Sequence, residues 1–523
     1  MNFFQRALKY VSRRRVKSIL LVITFFLIGN LVILGLGISQ AADNAKVLTR
    51  KSMRAAVSYE VDYDAFYNYV ESIEDADEQN EAYNHFPQLD KDTAIKLSQD
   101  ERVKAFNFFT NWQAYSSGFD NVPIGNEADR GESYMTDENG NEIEYKDPNI
   151  MLYATLYPNM IEMAEGTWTI DSGRFIDQDD IDNNADSVCI TKELADQNNL
   201  RVGDSITLDI ADAYTQHQLQ EAGFDASSTM HEFEIVGIYT TLNDVDPTAE
   251  NYKWMSPYES PKNIVLIPYS TYVDWMNDYS QVNYNYYKQT SPESVGDLTP
   301  EQFMGNYDTP SKVVYLLNDP LEVDQFVEDH TGDLAQYTKL NANNETFKKM
   351  ARPLDTLSFF ANIIVTIVIV NAVVIISLVT ALTLKTREYE IGVLLSIGVS
   401  KAKVVAQLFV ELLITAVIGF GIASVSGSLL AGKVGDEVLA YQTTNDAQYG
   451  DNTNDNNYYW SDSPEYFTTV TQEDMLSQYH VSVSPALIGE IFVIGAGVVL
   501  ISIVIPSFMI MRLNPKQILL EQN

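Results

Sequence analysis

Four long apolar segments interrupt a chain that is otherwise polar, and they set its organisation. They cover residues 18–40, 354–384, 404–432 and 485–511. Each is longer than the roughly 20 helical residues that cross about 30 Å of hydrocarbon at about 1.5 Å per residue. The pattern predicts a membrane α-helical protein with four transmembrane helices.

The short stretch between the second and third segments, residues 385–403, carries charges of both signs and repeats its apolar residues at helical spacing. The repeated positions are Ile391, Leu394, Leu395 and Gly398. Steps of three and four are typical of an amphipathic helix rather than of a further span. Gly398 favours the end of that helix, and Ser400 can cap the next one. We predict a helix, a tight break and a second helix.

A further amphipathic helix is predicted before the first span, within residues 1–17. Its apolar face holds Phe3, Phe4, Ala7, Leu8 and Val11, and its other positions include Arg6, Lys9 and Arg13. A helix of this kind lies flat on a bilayer surface. After the first span, residues 41–57 contain neither Pro nor Gly, so we expect the span to continue as a helical stalk.

The long region between the first and second spans, residues 41–353, has the pattern of a mixed α+β domain. Seven runs rich in β-branched or aromatic residues, each bounded by turn formers, predict strands. They are Val103–Asn111, Met151–Leu156, Ser187–Ile190, Ser205–Ile210, His231–Tyr239, Asn263–Ile267 and Lys312–Leu317. Helices are predicted at Lys192–Asn198, Ser270–Asn277 and Leu321–His330. The pair Asn139–Gly140 is typical of a β-hairpin turn.

Four stretches are rich in Asn, Asp, Tyr and Ser. Residues 116–132, 211–230 and 278–309 interrupt the α+β domain, and residues 433–484 separate the third and fourth spans. Their low apolar content argues against burial. We expect the first three to be insertions or mobile loops, and the fourth to be a second loop on the same side of the membrane as the domain.

The charge distribution predicts the orientation. The chain has 523 residues and a net charge of −38, which argues against nucleic-acid binding because phosphates require a basic surface. Residues 1–17, 385–403 and the tail 512–523 hold 12 of the 34 basic residues but only 3 of the 72 acidic ones. Basic residues flank spans on the cytoplasmic side. We therefore expect a plasma-membrane protein with both termini in the cytoplasm and the α+β domain outside.

The first apolar segment has one alternative interpretation, a cleaved signal peptide with Ser39–Gln40–Ala41 as a weak cleavage site. Its apolar core of about 20 residues exceeds the usual length of about 7–15, so a transmembrane helix is the preferred interpretation. The single cysteine, Cys189, cannot form an internal disulfide. The outer domain must therefore be held together by its own core.

The predicted spans contain one pattern of small residues and one proline of interest. Small residues occupy every fourth position of the third span at Gly419, Ala423, Gly427 and Ala431. This spacing allows another helix to approach closely, from either the same chain or a second subunit. Pro506 is expected to kink the fourth span, and Asn514–Pro515 to begin a short helix in the tail.

Two acidic residues, Glu411 and Glu490, lie at or inside spans, where a charge is costly and often functional. Glu411 is expected either to reach the headgroups or to pair with Lys401 or Lys403. Glu490 lies near the outer end of its span, within reach of water. Polar residues are otherwise so few in the spans that the sequence argues against a channel or secondary carrier, which would need polar groups or broken helices at the midplane.

Motifs that would give the chain a chemistry of its own are incomplete. No G-x-x-x-x-G-K-[ST] occurs, so the chain cannot bind ATP by a P-loop. His231–Glu232 begins a zinc-protease motif, but Ile235 stands where the second histidine belongs. The acidic run Asp177–Asp186 either binds Ca²⁺ or is a solvated loop, since Asp182 replaces the glycine of an EF-hand loop. We predict no catalytic residue, no metal site and no cofactor bound by this chain.

Several of these segments resemble one family. The run Arg387–Lys401, followed by a span with Glu411 near its start, is similar to the cytoplasmic signature of the MacB/FtsX-type (type VII) ABC-transporter permeases. Segments similar to the family's extracytoplasmic domain are Gly166–Trp168, Ser172–Phe175, Ser187–Glu193, Gly203–Asp204 and Phe233–Gly237. Asn514–Lys516 in the tail also fits.

The resemblance implies a permease subunit that is not itself an enzyme. It would work in the bilayer with a second permease, either a copy or a paralogue, and with two cytosolic ATPase subunits that bind ATP and Mg²⁺. Residues 386–398 would be the coupling helix that docks on the ATPase. Its expected docking residues are Arg387, Glu388, Glu390, Ile391, Gly392, Leu394, Leu395 and Gly398. By mechanotransmission, closure of the ATPases would change the posture of the outer domains.

The chain departs from the family pattern in its polar insertions and in residues 433–484, where the family usually has a short turn. These departures leave the cargo open. The first hypothesis is export or extraction of a peptide, lipopeptide or hydrophobic toxic compound. The alternative is a signalling module whose motion activates a cell-wall hydrolase or a sensor kinase without transport. A third is a surface receptor that is independent of ATP.

Overall fold

The computed structural model describes residues 3–125, 133–137, 140–249, 252–342, 344–449, 466–467 and 472–512. The chain divides into two compact units. The helical unit comprises Met1–Ser52, Glu345–Tyr458 and Thr469–Asn523, and the sheet unit comprises Met53–Asn344 and Tyr459–Thr468. The sheet unit therefore includes a short piece of chain that follows the third span in sequence.

Among the described residues, the sheet unit contains both helices and strands, and the regular elements of the helical unit are all helices. In chain order the helices are α1 Phe3–Arg13, α2 Arg15–Ser52, α3 Tyr63–Glu71, α4 Ala76–Asn84, α5 Lys91–Ser98, α6 Ile161–Glu165, α7 Gln178–Asp182, α8 Lys192–Asn198, α9 Ala213–Glu221, α10 Tyr269–Thr290, α11 Pro292–Val295, α12 Pro300–Met304, α13 Val323–His330, α14 Asn344–Thr386, α15 Glu388–Ser396, α16 Lys401–Tyr449, α17 Gln472–Ser477, α18 Pro485–Ser502 and α19 Val504–Arg512. The strands are β1 Ala56–Val61, β2 Val103–Ser117, β3 Ser133–Thr136, β4 Glu142–Tyr145, β5 Ile150–Thr155, β6 Trp168–Gly173, β7 Ser187–Thr191, β8 Ser205–Asp209, β9 Met230–Thr241, β10 Ile264–Pro268, β11 Lys312–Leu317 and β12 Thr338–Asn341.

Four helical segments are long and apolar enough to cross a membrane. They are Arg15–Ser52, Phe347–Thr386, Lys401–Gly435 and Pro485–Phe508. The mixed α and β elements of the sheet unit lie between the first and second of them in sequence. The predicted fold class, four transmembrane helices with a large mixed α+β domain between the first two, is confirmed.

The ends of two spans differ from the sequence prediction. α2 ends at Ser52, so the predicted helical stalk does not reach residue 57. Residues Ala56–Val61 instead form β1, all of it buried and paired with β11 and β12. Burial between two neighbouring strands outweighs local helical propensity. In the opposite direction, α16 continues to Tyr449, beyond the predicted end at residue 432.

The fourth span is interrupted near Pro506, where the sequence analysis predicts a kink. α18 ends at Ser502 and α19 begins at Val504. Pro506 has no N–H group to donate to the carbonyl four residues earlier, that of Ser502. This carbonyl accepts a hydrogen bond of 2.9 Å from the Ser377 hydroxyl of α14 instead. The predicted tail helix at Asn514–Pro515 lies outside the described residues.

One large sheet dominates the sheet unit, in the order β12-β1-β11-β2-β5-β10-β7-β9-β6, with β8 paired to β2 and β9. Most pairs are antiparallel, and β10–β5 and β7–β9 are parallel. Side chains alternate between the two faces. On β2, Phe108 joins one hydrophobic core cluster and Phe109 joins the other.

All seven predicted strands are present, six with ends shifted by at most two residues and β2 extended by six, whereas β1, β6 and β12 were missed. Of the two alternatives for the polar stretches, insertions or mobile loops, mobile loops are wrong for two of them. Residues 211–230 contain α9, and residues 278–309 contain the second half of α10 together with α11 and α12. The inner face of α10 is built from Trp275, Met276, Ser280 and Tyr284. Because this face mixes aromatic and polar residues, its low mean hydropathy concealed the helical period.

The predicted hairpin is also present. β3 and β4 pair antiparallel, with Ser133 opposite Tyr145 and Thr136 opposite Glu142. They form a separate two-stranded sheet. Gly140 has a φ of +85°, which glycine adopts without strain. Asn139 lies outside the described residues.

Candidate functional site

The candidate coupling helix, α15, is a short helix with a well-defined end. Its C-terminus carries the two hydrogen bonds of a Schellman motif, from Val399 N to Leu394 O at 3.1 Å and from Gly398 N to Leu395 O at 3.1 Å. Gly398 has a φ of +90°, which a residue with a side chain rarely adopts. α16 begins directly after Ser400, so the helix, tight break and second helix are where the sequence predicts them.

One face of α15 packs on the ends of the neighbouring helices. Ile391 is only 2% exposed and lies in a cluster with Leu384, Val404, Leu408 and Ile510. Leu395 packs against the same cluster. Gly392 is buried as well. Ile391 and Leu395, which the sequence analysis predicts to dock on a partner, pack α15 against α14, α16 and α19.

Part of the exposed surface of α15 is apolar, beside the exposed Glu390 and Ser396. Tyr389 is 52% exposed, Val393 38% and Ile397 73%. These three residues follow one another at intervals of four and form one stripe along the helix. We call them the docking stripe. None of the three was among the predicted docking residues. Their spacing of four residues is visible in the sequence. The face that contains Ile391 has the same period, and the sequence alone does not distinguish the two faces.

Arg387, the residue before α15, points into the protein. Its guanidinium Nη1 donates to Glu411 Oε2 of α16 at 2.8 Å, and its Cζ lies 3.7 Å from the centroid of the Tyr10 ring of α1. Gln407 Nε2 donates to Glu411 Oε1 at 2.9 Å. Arg387 and Glu411 are each 7% exposed. One sequence prediction is therefore corrected, since Glu411 pairs with Arg387 rather than with Lys401 or Lys403. Arg387, a predicted docking residue, is buried in this pair.

The cluster of Tyr10, Arg387 and Glu411, which we call the anchor, joins three elements that are distant in sequence. α1 supplies the ring, the start of α15 supplies the cation and α16 supplies the carboxylate. A buried ion pair is held only where good geometry and further hydrogen bonds offset the loss of hydration. Here a bidentate contact, an amide donor and an aromatic face surround the pair. α15 is consequently attached to its neighbours by both a polar and an apolar contact.

A cleft of about 660 Å³ lies beside the anchor. α1 contributes Arg6, Lys9 and Arg13 to its lining, and α15 contributes Tyr389, Glu390, Val393 and Leu394. Glu390 is paired with Arg14 at 3.7 Å, and both side chains are more than half exposed, so this ion pair contributes little stability. The cleft gives the docking stripe a wall of basic residues.

The small-residue pattern of the third span packs within the chain. A Cβ placed at Gly419 would lie 2.6 Å from Phe25 Cβ, and one at Gly427 would lie 2.9 Å from the Ile33 side chain. Ala423 would lie 2.8 Å from a Cβ at Gly29. Ala431 is also buried, at 1% exposure. Of the two alternatives that the sequence left open, the structure supports packing against α2 rather than a subunit interface.

The second intramembrane acid, Glu490, lies on α18 and accepts a hydrogen bond of 3.3 Å from Gln40 Nε2. Polar side chains of the other spans pair in the same way. The hydroxyls of Ser39 and Ser358 are 2.8 Å apart, and Ser426 donates to Asn30 at 2.9 Å. Among the described residues these contacts join neighbouring helices.

The acidic run of the sheet unit forms a structural ion pair. Asp177 caps α7, and Arg174 Nη2 donates to Asp180 Oδ1 at 2.9 Å. Burial by itself would raise the pKa of Asp180, but hydrogen bonds from Arg174, the Asp177 backbone and Ser187 outweigh it and lower this pKa to about 2. Burial also raises the pKa of the Cys189 thiol to about 12. Asp180 is therefore engaged by Arg174 rather than available to Ca²⁺, and the thiol is inert.

Sequence reasoning missed the role of Tyr466, which follows the third span but lies in the sheet unit. The residue is 3% exposed and belongs to the core cluster of Phe109 and Trp168. Its hydroxyl donates to Glu162 and accepts from Asn107 Nδ2 at 2.8 Å. The Arg54 guanidinium lies 5.3 Å from the ring centroid. A segment of the predicted second loop is thus built into the core of the sheet unit.

Replacing Tyr466 by Phe should lower the stability of the sheet unit by about 1–3 kcal/mol, because the buried carboxyl of Glu162 and the amide of Asn107 each lose a hydrogen-bond partner. Thermal unfolding of the full-length protein, followed by the fluorescence of the nearby Trp168, measures this change. Tyr67→Phe, at a residue that is 44% exposed, is the matched control and should have no effect. Equal stability of both variants and the parent protein would contradict the anchoring role.

Two family models match the chain, one in the sheet unit and one in the helical unit. Residues 54–304 match the family model of the MacB-like periplasmic core domain, and residues 362–515 match that of the FtsX-like permease C-terminal domain. The "Uncharacterized ABC transporter permease YclI" of Bacillus subtilis (strain 168) is 26% identical over 443 residues, which cover 82% of this chain and 80% of the relative.

Two solved structures are similar to part of the chain. One is the periplasmic region of MacB from Actinobacillus actinomycetemcomitans, with 11% identity and a TM-score of 0.27 over 56% of this chain and 90% of that one. The other is the extracellular domain of the noncanonic ABC-type transporter YknZ from Gram-positive bacteria, with 9% identity and a TM-score of 0.27 over 55% of this chain and 99% of that one.

The two family matches occur in the order and at the positions that the fold gives to the sheet unit and to the last three spans. The curated relative extends over most of both chains. The chain therefore belongs to the MacB/FtsX-type family of ABC transporter permeases.

Proposed function

We propose that this permease transmits ATP-driven motion of a separate cytosolic ATPase to its sheet unit on the outer side of the membrane. The work performed there is export or extraction of a peptide, lipopeptide or hydrophobic toxic compound. One observation carries the proposal: α15 is fixed on one face by the anchor and the Ile391 cluster, and presents the docking stripe on the other.

The orientation is part of the proposal. The basic flanks of the spans support a cytoplasmic location for α1, α15 and the tail 512–523, on the side where a cytosolic ATPase would bind. The sheet unit, which follows α2 directly, then lies outside the membrane. The basic wall of the cleft beside the docking stripe supports an ATPase surface that combines apolar and acidic residues.

Force can pass along the chain because the helices that leave α15 are long and continuous. α14 has 43 residues, a length of about 65 Å at about 1.5 Å per residue. It begins where the sheet unit ends, at Asn344. A displacement of α15 therefore reaches the last residue of the sheet unit through one helix.

The assembly requires a second permease, either a copy or a paralogue, and two ATPase subunits. The small-residue face of α16 is already occupied by α2, so the second permease must use another helix face. Exposed apolar residues on α14, among them Phe359 and Phe360 at 61% and 57% exposure, offer such a face within the bilayer.

The signalling alternative shares the same mechanics. Among the described residues, polar side chains of the spans pair with one another, which suits transmission of motion whether or not a cargo moves. ATP turnover in reconstituted membranes separates the two functions. Stimulation by candidate peptides favours transport, and stimulation by a cell-wall hydrolase or a sensor kinase favours signalling.

The direct test is assembly with a candidate cytosolic ABC ATPase, chosen from the reading frames next to the one that encodes this chain. The two proteins are coexpressed, purified together and placed in lipid nanodiscs. We expect a stable complex whose ATP turnover depends on the permease. Failure of the ATPase to bind, or turnover that is unchanged by the permease, would contradict the proposed function.

A further inference from the structure

Three metal-ligating side chains from two separate elements of the sheet unit converge. Asp137 follows β3, at the end of the β3–β4 hairpin, and His217 and Glu221 lie on α9. Residues four apart lie on the same face of a helix, so α9 presents both side chains to the hairpin. One ligand atom from each of the three residues lies within 4.8 Å of the other two.

Two of the three separations between these atoms match those around a bound metal ion. His217 Nε2 lies 3.2 Å from Asp137 Oδ2 and 3.5 Å from Glu221 Oε1. Zn²⁺ binds imidazole nitrogen and carboxylate oxygen at about 2.0–2.2 Å, so two ligands at a tetrahedral angle are about 3.3–3.6 Å apart. We propose that Asp137, His217 and Glu221 bind Zn²⁺.

The ligand types select the class of metal. Ca²⁺ and Mg²⁺ prefer shells of oxygen ligands, whereas an imidazole with two carboxylates suits a transition metal such as Zn²⁺. His217 and Glu221 are 32% and 41% exposed, while the Asp137 side chain is only 3% exposed. The site is therefore open on the side of α9, where water can complete a fourth position.

Asp137 is oriented by its own hairpin. Asn141 donates its backbone N–H to Asp137 Oδ1 at 2.7 Å and its Nδ2 to Asp137 Oδ2 at 2.7 Å. Hydrogen bonds of this kind fix ligating carboxylates and contribute to metal affinity. The sequence analysis did not find the site because His217 and Glu221 lie in a stretch that it treated as an insertion or loop, and His217 is 80 positions from Asp137 of the predicted hairpin.

A metal at this position would fasten the hairpin to α9. The hairpin is a separate two-stranded sheet, and all four residues of β3 are exposed. Isolated two-stranded hairpins are marginally stable in water. β4 lines a polar cleft of about 910 Å³ through Glu144 and Tyr145. Zn²⁺ would therefore hold one wall of this cleft in place.

A protonated His217 could make the same contacts as an ion pair with two carboxylates, without any metal. The two explanations differ in what they predict for binding. A metal site takes up Zn²⁺ and loses affinity when any ligand is removed. A simple ion pair takes up none.

The test uses the full-length protein in detergent, without a polyhistidine tag, after EDTA treatment and dialysis. Zn²⁺ binding is measured by competition with a chromophoric chelator. We expect about one equivalent of Zn²⁺ per chain, and at least about tenfold weaker binding by His217→Ala. Glu221→Gln, a change at a partly exposed helix end, is a second variant with the same expected loss.

His231→Ala is the matched control, because His231 Nε2 also contacts an aspartate, Asp186 at 2.7 Å, but no third ligand joins that pair in the described residues. Its Zn²⁺ binding should equal that of the parent protein. Hydrogen exchange of residues 140–145 should slow when Zn²⁺ is added. Absence of Zn²⁺ uptake, or equal uptake by the parent protein and His217→Ala, would overturn the proposal.

Discussion

Replacing Ile397 by Asp should abolish the stimulation of ATP turnover by the permease while leaving the permease folded. Ile397 is the most exposed residue of the docking stripe, at 73%. A carboxylate there would have to lose its hydration against the partner without gaining a pairing group. Loss of one central contact typically costs at least about 2 kcal/mol, or about 30-fold in affinity. Binding of the ATPase to nanodisc-embedded permease measures the change.

The matched control is Ile170→Asp, the same substitution at a residue of β6 that is 41% exposed. This variant should bind the ATPase as tightly as the parent protein does. Size-exclusion profiles of both variants report folding. If Ile397→Asp binds and stimulates the ATPase normally, the docking stripe is not the docking surface.

The second large effect is expected from the anchor. Arg387→Ala removes the cation and leaves Glu411 buried without its partner, a change that typically costs about 3–5 kcal/mol. We expect a lower unfolding temperature in detergent, faster hydrogen exchange in α15 and weaker stimulation of the ATPase. The double variant Arg387→Met, Glu411→Met should recover stability because no charge remains buried.

Lys403→Ala is the control for the anchor. Lys403 is exposed, and it is one of the two lysines that the sequence analysis expects to pair with Glu411. It should leave hydrogen exchange in α15 unchanged. A loss as large as that of Arg387→Ala would show that the contact with Arg387 is not the one that fixes α15.

The sequence predicted those features that depend on local pattern. The spans follow from apolar length, the strands from runs of β-branched and aromatic residues, and the end of α15 from Gly398, whose φ of +90° suits glycine. The hairpin followed from Asn139–Gly140. Each of these signals lies within a few neighbouring residues, so tertiary structure has little opportunity to change it.

The features that were missed depend on contacts between distant residues. Arg387 and Glu411 are 24 positions apart, and the ring that covers Arg387 comes from Tyr10. Tyr466 reaches Glu162 across 304 positions. Even the exposed face of α15 was ambiguous, because the stripes of Ile391 and of Val393 have the same period. Only packing decides which stripe is buried.

Gly392 illustrates the consequence for experiments. Glu390 and Gly392 are both among the docking residues that the sequence predicts. Glu390 is exposed beside the docking stripe, whereas Gly392 is buried. A bulky residue at Gly392 would disturb the packing of α15 before it affected a partner. Substitutions in the docking stripe avoid this ambiguity.

The central claim is that nucleotide binding by the ATPase moves the sheet unit. Its most direct test is a distance measurement between spin labels at Leu242→Cys in the sheet unit and Leu429→Cys on α16, residues that are 75% and 73% exposed. The native Cys189 is buried and should stay unlabelled. We predict that the distance distribution shifts between the nucleotide-free and ATP-trapped states of the complex in nanodiscs. Superimposable distributions in all nucleotide states would contradict the account.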